Sequence, residues 1–338
     1  MAVISYHGGD LGVVFAACPD APKPWIDLST GINPVPYPWQ DRLPPNDLWQ
    51  AAAKLPQGMA GEDCLTAWTD SLSVQHPADW LLLPGSQAMI NLLPILFPAH
   101  QAIITVPCYG EYDRVWRGAG KEIKTINRDE LGTLNPNKPT LVILTNPNNP
   151  DGHIWLPEQL LKLAERLADS GGHLLIDEAF GELLTNQSLC ALELPDNILI
   201  LRSFGKFFGL AGLRLGMVRV TGGLRQMVSK QLGPWSVNGL ALVIATCALQ
   251  DKIWIEQTQQ RIKTDMSRLR HMLTNAGLNP VGGTDLFCLT EYEAAPALYD
   301  RLLSRGIFVR YFPGSSRLLR FGLPQNTPDF QRLKEALT

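Results

Sequence analysis

Short apolar runs that alternate with longer helical patterns constrain the fold of this chain more than any other feature. Seven runs predict strands of a buried sheet: residues 80–83, 102–106, 121–126, 141–145, 173–176, 198–202 and 216–220. Helical patterns at 87–96, 112–118 and 156–170 lie between several of these runs. Because parallel strands joined by helices are covered on both faces, we predict an α/β fold in three layers around a mostly parallel sheet.

The pattern changes after residue 235. Residues 239–250 and 251–276 predict consecutive helices, and short strand patterns follow near 286–290, 307–310 and 318–321, with a helix at 294–305. This order is typical of an α+β module. We therefore predict a larger domain over residues 26–235 and a smaller α+β domain over 236–338, to which residues 1–25 belong as an N-terminal arm.

Composition argues against several classes of protein. The 338 residues are 45% hydrophobic and carry a formal net charge of −3 without a basic stripe, which argues against a nucleic-acid-binding protein. The six cysteines lie far apart and no histidine has zinc-like spacing, so we expect neither a disulfide framework nor a metal site. The chain has no basic n-region and no apolar run of ~18 residues, so we expect no signal peptide, no membrane span and a cytoplasmic location.

Lys206 is the residue that most strongly indicates chemistry. A lone lysine is usually a solvated surface charge, but this one follows an apolar strand within the almost uncharged run 203–216. Loss of hydration at such a place lowers the pKa of the ammonium group and makes the amine a nucleophile. Ser203 and Arg214 could both turn toward one phosphate, to which they offer a hydroxyl group and a fork of N–H donors.

Three further motifs follow strand candidates. Asp177 stands at the carboxyl end of a buried strand, where an unpaired carboxylate is costly, although a helix cap or a surface turn would also place an aspartate there. Asn149 lies in residues 145–152, which are rich in turn-forming Asn, Pro and Gly. The third motif, residues 84–87, leads into a predicted helix whose N-terminus suits an anion. The candidate residues that would bind this anion are Gly85, Ser86 and Gln87.

These motifs are expected to meet at one edge of the predicted sheet, because ligands of open α/β sheets bind at the carboxyl ends of the strands. Together with Tyr109, an aromatic residue after another strand, they offer an anion cradle, an amide, a carboxylate, a lysine and an arginine. Pyridoxal phosphate requires a lysine for its aldehyde, an acid that keeps its ring nitrogen protonated, and a cradle for its phosphate. We therefore predict pyridoxal 5'-phosphate as the cofactor.

The chain resembles the fold-type I pyridoxal-phosphate enzymes of the aspartate aminotransferase superfamily along nearly its whole length. The superfamily motifs are Asn-Asn-Pro-Asp-Gly at 148–152, Asp-Glu-Ala-Phe at 177–180, the run 203–216, and Arg320. Within the superfamily, residues 7–10 (His-Gly-Gly-Asp), 27–34 and 234–238 (Pro-Trp-Ser-Val-Asn) are similar to the threonine-phosphate decarboxylases of cobalamin biosynthesis. The histidinol-phosphate aminotransferases are the near neighbours.

The resemblance implies a role for each matching residue. Lys206 is similar to the Schiff-base lysine, and Asp177 to the acid that pairs with the pyridinium nitrogen. Asn149 would bond the phenolic oxygen of the ring, and Tyr109 would stack on the ring. The residues that would hold the cofactor phosphate are Gly85, Ser86, Gln87, Ser203 and Arg214. The residues that would surround the substrate are His7, Gly31, Asn33, Asn149, Arg310 and Arg320, of which the last is similar to the arginine that receives the α-carboxylate.

The resemblance also implies an activity and an assembly. The expected reaction is decarboxylation of L-threonine O-3-phosphate to (R)-1-aminopropan-2-ol O-phosphate by a homodimer. A histidinol-phosphate-type aminotransferase that uses glutamate or 2-oxoglutarate is the alternative, because both reactions share these residues and differ in the tilt of the substrate. A non-catalytic binding protein of the same fold would be expected to lack Lys206 or Asp177, and both are present.

Three positions depart from residues that are common in the superfamily. Asp151 stands where a threonine is usual. Phe180 stands where many aminotransferases have a tyrosine that reaches the ring oxygen, and the decarboxylases share this change, which favours them. Leu55 stands where many relatives have a tyrosine that reaches the neighbouring subunit's cofactor phosphate, and it cannot donate that hydrogen bond.

Overall fold

The computed structural model describes residues 7–56, 58–99, 101–184, 187–312 and 314–338. The α-helices in these ranges are α1 (Leu11–Ala17), α2 (Pro45–Ala53), α3 (Gly58–Ser71), α4 (Ser86–Leu96), α5 (Glu111–Gly118), α6 (Pro157–Ala168), α7 (Gly222–Leu232), α8 (Gly239–Gln250), α9 (Lys252–Asn275), α10 (Ala295–Ser304) and α11 (Thr327–Leu337). The strands are β1 (Ile26–Leu28), β2 (Trp80–Leu83), β3 (Gln101–Val106), β4 (Ile123–Asn127), β5 (Thr140–Thr145), β6 (His173–Glu178), β7 (Ile198–Ser203), β8 (Gly216–Arg219), β9 (Asn279–Gly283), β10 (Phe287–Glu291), β11 (Ile307–Tyr311) and β12 (Leu318–Gly322).

The described residues form two compact units. The larger unit comprises Tyr37–Asn149 and His153–Ile255, and the smaller unit comprises the described residues up to Pro36, Pro150–Gly152 and Glu256–Thr338. These divisions differ from the predicted boundaries after residues 25 and 235. The difference arises because β1 pairs with β11 of the smaller unit, whereas α8 packs on α2 and α3 of the larger one. A three-residue strand and an apolar helix carry no local signal that identifies their distant partners.

The larger unit contains a seven-stranded sheet in the order β2-β8-β7-β6-β5-β3-β4. Neighbouring strands are parallel except at β8, which runs antiparallel to β2 and β7. The predicted α/β class and mostly parallel sheet are confirmed, and all seven predicted strands are present. β2 has the predicted ends, and the ends of the other strands differ from the prediction by at most two residues, as at β4, which begins at Ile123.

The core of the larger unit explains the apolar character of its central strands. Every residue of β5 is buried, and β6 and β7 are each buried except at one end. The helix α6 begins at Pro157 and buries one face, which consists of Leu160, Leu163, Ala164 and Leu167. Helices that cover a parallel sheet make its strands apolar on both faces. This core fixes the carboxyl ends of β5, β6 and β7, from which the candidate site is built.

The smaller unit contains a five-stranded sheet in the order β1-β11-β12-β10-β9. β1 and β11 are parallel, and the other neighbours are antiparallel. The predicted strands near 286–290, 307–310 and 318–321 correspond to β10, β11 and β12. The prediction missed β1, which has only three residues, and β9, whose Asn, Pro and Gly residues are rare in strands.

Two further properties bear on function. Among the residues that the structure describes, no helix is both long and apolar enough to cross a bilayer, and no three His, Cys, Asp or Glu side chains form a group that could hold a metal ion. The six cysteines are free thiols.

Candidate active site

The strand ends of the larger sheet place several predicted site residues next to one another. Thr145, the last residue of β5, pairs with Asp177 of β6, and β6 pairs in turn with β7. Ser203 ends β7 and pairs with Gly216, the first residue of β8. The carboxyl ends of parallel strands lie at one edge of a sheet. Asp177, near the end of β6, therefore lies beside the start of the loop 204–215, which follows β7.

Aromatic side chains anchor the loop that carries Lys206. Phe204, Phe207 and Phe208 are buried, and the rings of Phe204 and Phe208 stack with their centroids 4.3 Å apart. Phe208 also stacks on Trp254, at a centroid distance of 5.8 Å. Lys206 itself is half-buried. These contacts hold the loop backbone, and thereby give the amine of Lys206 a defined position at the edge of the sheet.

Asp177 is buried, and each of its carboxylate oxygens accepts a hydrogen bond. Oδ2 accepts from the hydroxyl group of Tyr112 at 2.7 Å, and Oδ1 accepts from the backbone N–H of Ala179 at 3.0 Å. Burial raises the pKa of Asp177, whereas the two hydrogen bonds and the positive charge of Lys206 lower it, and burial prevails. Lys206 is therefore close enough to act electrostatically on this carboxyl group.

Tyr112 is a site residue that the sequence analysis missed. It lies in the first turn of α5, is fully buried, and meets the ring of Tyr109 nearly perpendicularly at a centroid distance of 6.3 Å. Burial raises the pKa of the Tyr112 hydroxyl well above its usual range, so this group stays a hydrogen-bond donor. The sequence shows only a tyrosine at an apolar helix position, which is the ordinary signature of a core residue.

Gly85, Ser86 and Arg214 form a cradle at the start of α4. Gly85 has a φ of +81°, and a β-carbon at this position would lie 2.9 Å from Nη2 of Arg214. A β-carbon on Gly216 would lie 2.8 Å from the backbone nitrogen of Ser86. A guanidinium group and the N–H groups of a helix N-terminus thus converge where glycines leave space, an arrangement that suits a phosphate.

The side chain of Gln87 has other partners. Its Nε2 donates to Oδ1 of Asn91 and to Oε2 of Glu111, each at 3.0 Å. Glu111 is buried and also accepts from Nε of Arg114 at 2.6 Å. Both amide hydrogens of Gln87 are therefore in use, and its backbone N–H, in the first turn of α4, is the group that can face an anion.

Asn149 follows β5 in a loop that its buried neighbour Asn148 holds in place. The side-chain amide of Asn148 donates to the carbonyl group of Pro107 at 2.9 Å. Pro107 lies two residues before Tyr109, so the loops that carry Asn149 and Tyr109 are tied together. The larger unit thus brings a buried acid, an aromatic face, an amine and an anion cradle to one sheet edge, and this set fits pyridoxal phosphate.

In the smaller unit, two predicted substrate residues lie directly opposite each other. Arg310 of β11 pairs with Arg320 of β12, so both side chains leave the same face of the sheet. Arg320 is buried, its Nη2 donates to the carbonyl group of Ser29 at 2.9 Å, and its guanidinium carbon is 5.0 Å from the ring centroid of Phe287. Because opposed like charges are unfavourable, the pair is suited to an anionic ligand.

Ser29, a residue that the sequence analysis did not select, joins Arg320 to the N-terminal arm. The hydroxyl group of Ser29 accepts from the backbone N–H of Gly9 at 2.8 Å. Gly8 fits closely as well, since a β-carbon there would lie 2.3 Å from the carbonyl oxygen of Ser29. His7 directly precedes this contact and is exposed. The first six residues of the predicted arm lie outside the described residues.

Gly31 and Asn33 follow β1 and are buried. Oδ1 of Asn33 accepts from the backbone N–H of Val35 at 3.1 Å and from Nη2 of Arg261 at 2.8 Å. Arg261, on α9, is another residue that the sequence analysis did not select. It fixes the orientation of the Asn33 amide, because both donors address the same oxygen.

The three departures from the superfamily have different surroundings. Leu55 is 64% exposed, whereas Phe180 is buried next to the end of β6. The carbonyl group of Asp151 accepts from the backbone N–H of Gly283 at 2.8 Å. The backbone at residue 151 is therefore held whatever its side chain, which explains how an aspartate is accommodated there.

Comparison with known proteins extends these observations. Residues 60–337 match the family described as aminotransferase class I and II. A protein of Sinorhizobium sp. named threonine-phosphate decarboxylase is 38% identical over 335 residues, which are 98% of this chain and 97% of that protein. A protein of the same name from Pseudomonas aeruginosa is 36% identical over 333 residues, which are 98% of this chain and 96% of that protein.

A solved structure shares the fold. The histidinol-phosphate aminotransferase from Sinorhizobium meliloti, in complex with pyridoxal-5'-phosphate, superposes with a TM-score of 0.81 at 22% identity, over 96% of this chain and 93% of that one. At this identity the similarity shows the fold alone. The family match and the two full-length relatives go further: this chain belongs to the class I and II aminotransferase family of pyridoxal-phosphate-dependent enzymes.

Proposed function

We propose that the protein is a pyridoxal-phosphate-dependent carboxy-lyase that converts L-threonine O-3-phosphate into (R)-1-aminopropan-2-ol O-phosphate and CO2 for cobalamin biosynthesis. The observation that carries this proposal is the opposed pair of Arg310 and Arg320. The substrate has two anionic groups, a carboxylate and a phosphate, and guanidinium groups bind both. The full-length relatives named for this activity, at 36% and 38% identity, support the same conclusion.

Bound pyridoxal phosphate would supply an electron sink for the bond that breaks at the substrate Cα. The residues of this chain would hold it as the resemblance implies. Lys206 would bind the aldehyde, Asp177 would keep the proton on the ring nitrogen, Asn149 would bond the ring oxygen, and Tyr109 would cover one face of the ring. The phosphate would be held by Gly85, Ser86, Ser203, Arg214 and the backbone N–H of Gln87.

The residues of the smaller unit would bind and orient the substrate. Arg320 would take the α-carboxylate, and the carbonyl group of Ser29 holds its guanidinium group, so the direction of the departing carboxylate would be fixed. The phosphate group of the substrate would be bound by Arg310, His7 and Asn33, with Gly31 beside them. As the resemblance implies, Arg320, His7 and Arg310 would set the tilt of the substrate, on which the choice between decarboxylation and transamination depends. After CO2 leaves, Lys206 would deliver a proton from Nζ to the substrate Cα.

We further propose a homodimer in the cytoplasm. The larger unit exposes several large apolar side chains, Trp49, Leu55, Met59 and Trp235, whose exposed fractions lie between 60% and 75%. Trp49 lies on α2, Leu55 just before α3, Met59 in the first turn of α3, and Trp235 in the loop before α8. The helices α2 and α3 both pack on α8. Exposed apolar side chains of this size are typical of a surface that another protein covers. Sedimentation equilibrium of the wild type and of Trp49→Glu tests this, and an unchanged dimer or a monomeric wild type would contradict it.

The test of the activity is a decarboxylation assay with L-threonine O-3-phosphate. We expect stoichiometric CO2 and 1-aminopropan-2-ol O-phosphate without any 2-oxo acid, and no turnover by Lys206→Ala. Lys230→Ala is the matched control, because Lys230 is an exposed lysine of α7 outside the site. Turnover that requires 2-oxoglutarate and yields glutamate would instead establish an aminotransferase.

A further inference from the structure

Tyr112 contacts two of the residues that the proposed function assigns to the cofactor ring. Its hydroxyl group donates to Oδ2 of Asp177 at 2.7 Å, and its ring packs nearly perpendicular to that of Tyr109. The three side chains lie on β6, on α5 and just before α5. Tyr112 is fully buried, so water does not compete for its hydroxyl group. The residue roles in the proposed reaction do not include the hydrogen bond between Tyr112 and Asp177.

The surroundings of Asp177 explain why a donor is needed there. The groups that act on its charge are Glu178, which disfavours the carboxylate, and Lys206, Tyr112 and the N–H of Ala179, which favour it. Among the described residues, Tyr112 is the side chain that donates a hydrogen bond to this carboxylate. A buried carboxylate that loses such a donor becomes more basic.

We propose that Tyr112 is a positioning residue, which holds the Asp177 carboxylate in the orientation that faces the ring nitrogen of the cofactor and keeps the shared proton on that nitrogen. The inference rests on the proposed function, because it needs Asp177 to face the ring. The proton has two acceptors, the ring nitrogen and an Asp177 oxygen. The O–H of Tyr112 stabilises the negative charge on Asp177, and thereby leaves the proton on nitrogen. Without the hydroxyl group the proton moves to the carboxylate, and the ring withdraws electrons less strongly.

Tyr112→Phe tests this role, because it removes the hydroxyl group and retains the ring that packs on Tyr109. The readout is the 15N chemical shift of the ring nitrogen in holoenzyme loaded with 15N-labelled pyridoxal phosphate, which reports the protonation state without turnover. We expect the shift to move toward that of unprotonated pyridine, and kcat to fall by about tenfold or more, as for a lost hydrogen bond to a charged group. The KM for substrate should stay within about twofold, since Tyr112 lies in the cofactor part of the site.

Tyr37→Phe is the matched control. Tyr37 is also buried, and its hydroxyl group also faces an aspartate, Oδ2 of Asp251 at 3.3 Å, to which no cofactor role is assigned. We expect this variant to keep the wild-type 15N shift and kcat, whatever it loses in thermal stability. A purely structural role for Tyr112 would make the two variants behave alike.

A second replacement keeps the inference falsifiable if Tyr112→Phe folds poorly. Replacement of Tyr112 by 3-fluorotyrosine retains the hydroxyl group and makes it a stronger donor, so the 15N signal should stay at the protonated value or move away from that of unprotonated pyridine. An unchanged 15N shift and kcat in Tyr112→Phe would overturn the inference. Failure of the proposed function would look different, because wild-type protein would then bind no cofactor, or Lys206→Ala would form the same visible absorbance band as wild type.

Discussion

Gly85 and Arg214 approach each other so closely that any side chain at residue 85 would meet the guanidinium group. Nη2 of Arg214 is 2.9 Å from the position of a β-carbon on Gly85. The φ of Gly85 is +81°, a conformation that costs residues with a side chain energy, and the φ of Arg214 is +54°. Both backbones are therefore already in unusual conformations where the cofactor phosphate is proposed to bind.

Gly85→Ala should weaken cofactor binding by about tenfold or more, because the new methyl group displaces the guanidinium group from a charge-assisted hydrogen bond. The backbone at residue 85, with a φ of +81° and a ψ of 153°, lies in a region almost restricted to glycine, so an alanine there should also cost about 1–3 kcal/mol of stability. Titration of the apoenzyme with pyridoxal phosphate, followed by visible absorbance, measures the first effect. The control is Gly212→Ala, where a β-carbon meets no atom within 4 Å. Equal affinities for the two variants would contradict a phosphate site at Gly85.

Leu55→Tyr should increase affinity for the cofactor. The resemblance places a tyrosine here that reaches the partner subunit's cofactor phosphate, and Leu55 is one of the exposed side chains on the surface that the partner is proposed to cover. One hydrogen bond to a charged group contributes about 1.5–3 kcal/mol, which corresponds to roughly tenfold or more in Kd. Leu55→Phe adds the ring without the hydroxyl group and should leave Kd near the wild-type value. A Kd that is equally improved in both variants would show that packing, and not the hydroxyl group, is responsible.

The raised pKa of Asp177 predicts how apoenzyme stability changes with pH. In the unfolded chain this aspartate ionises near pH 3.8, whereas the folded protein retains its proton to higher pH. From about pH 4 upward the folded state therefore binds more protons than the unfolded state, and the free energy of unfolding falls with rising pH until the folded-state pKa is passed.

Asp177→Asn should remove this decline. Urea unfolding of the apoenzymes at a series of pH values should give a wild-type stability that falls, relative to the variant, as the pH rises. Asp63→Asn, at an exposed position of α3, should follow the wild type. Parallel curves for wild type and Asp177→Asn would mean that this carboxyl group has the same pKa in both states.

The sequence predicted the features whose signals are local. The strands β5, β6 and β7 are apolar because helices cover both faces of their sheet, so their positions can be read from short runs. Lys206 and Asp177 follow such runs at the strand ends, where ligands of an open sheet bind. The order of the strands, the antiparallel β8 and the pairing of β1 with β11 depend on distant segments, and no short run indicates them.

Residues that act through distant partners could not be predicted in this way. Tyr112 and Asp177 are separated by 65 residues, and Ser29 and Arg320 by 291. A buried tyrosine in a helix and a serine after a short strand have the same local sequence whether they pack in a core or hold a catalytic group. The helix-start position of Gln87 likewise predicts an anion ligand but does not reveal that its side chain bonds Glu111 and Asn91, so that prediction rests on its backbone N–H.

Arg202→Met should destabilise the protein severely. The side chain of Arg202 is fully buried, and it bonds Oε2 of Glu178 at 2.8 Å and Oε1 of Glu182 at 2.7 Å. Without the guanidinium group two carboxylates stay buried without their cation, at a cost of about 3–5 kcal/mol. Urea unfolding at neutral pH measures the loss. Arg42→Met breaks an ion pair with Asp251 in which Arg42 is 51% exposed, and it should change stability by about 0–1 kcal/mol. Similar losses in both variants would refute a stabilising role for the buried pairs.

Gly8→Ala should weaken substrate binding and leave cofactor binding unaffected. A β-carbon on Gly8 would lie 2.3 Å from the carbonyl oxygen of Ser29, so the arm that carries His7 must move away. If His7 binds the substrate phosphate, the loss of that hydrogen bond should raise the KM for L-threonine O-3-phosphate by about tenfold or more. Gly12→Ala is the control, since the nearest atom to its β-carbon is at 3.4 Å. Steady-state kinetics and a cofactor titration on both variants separate the two effects, and an unchanged KM in Gly8→Ala would remove the arm from the proposed substrate site.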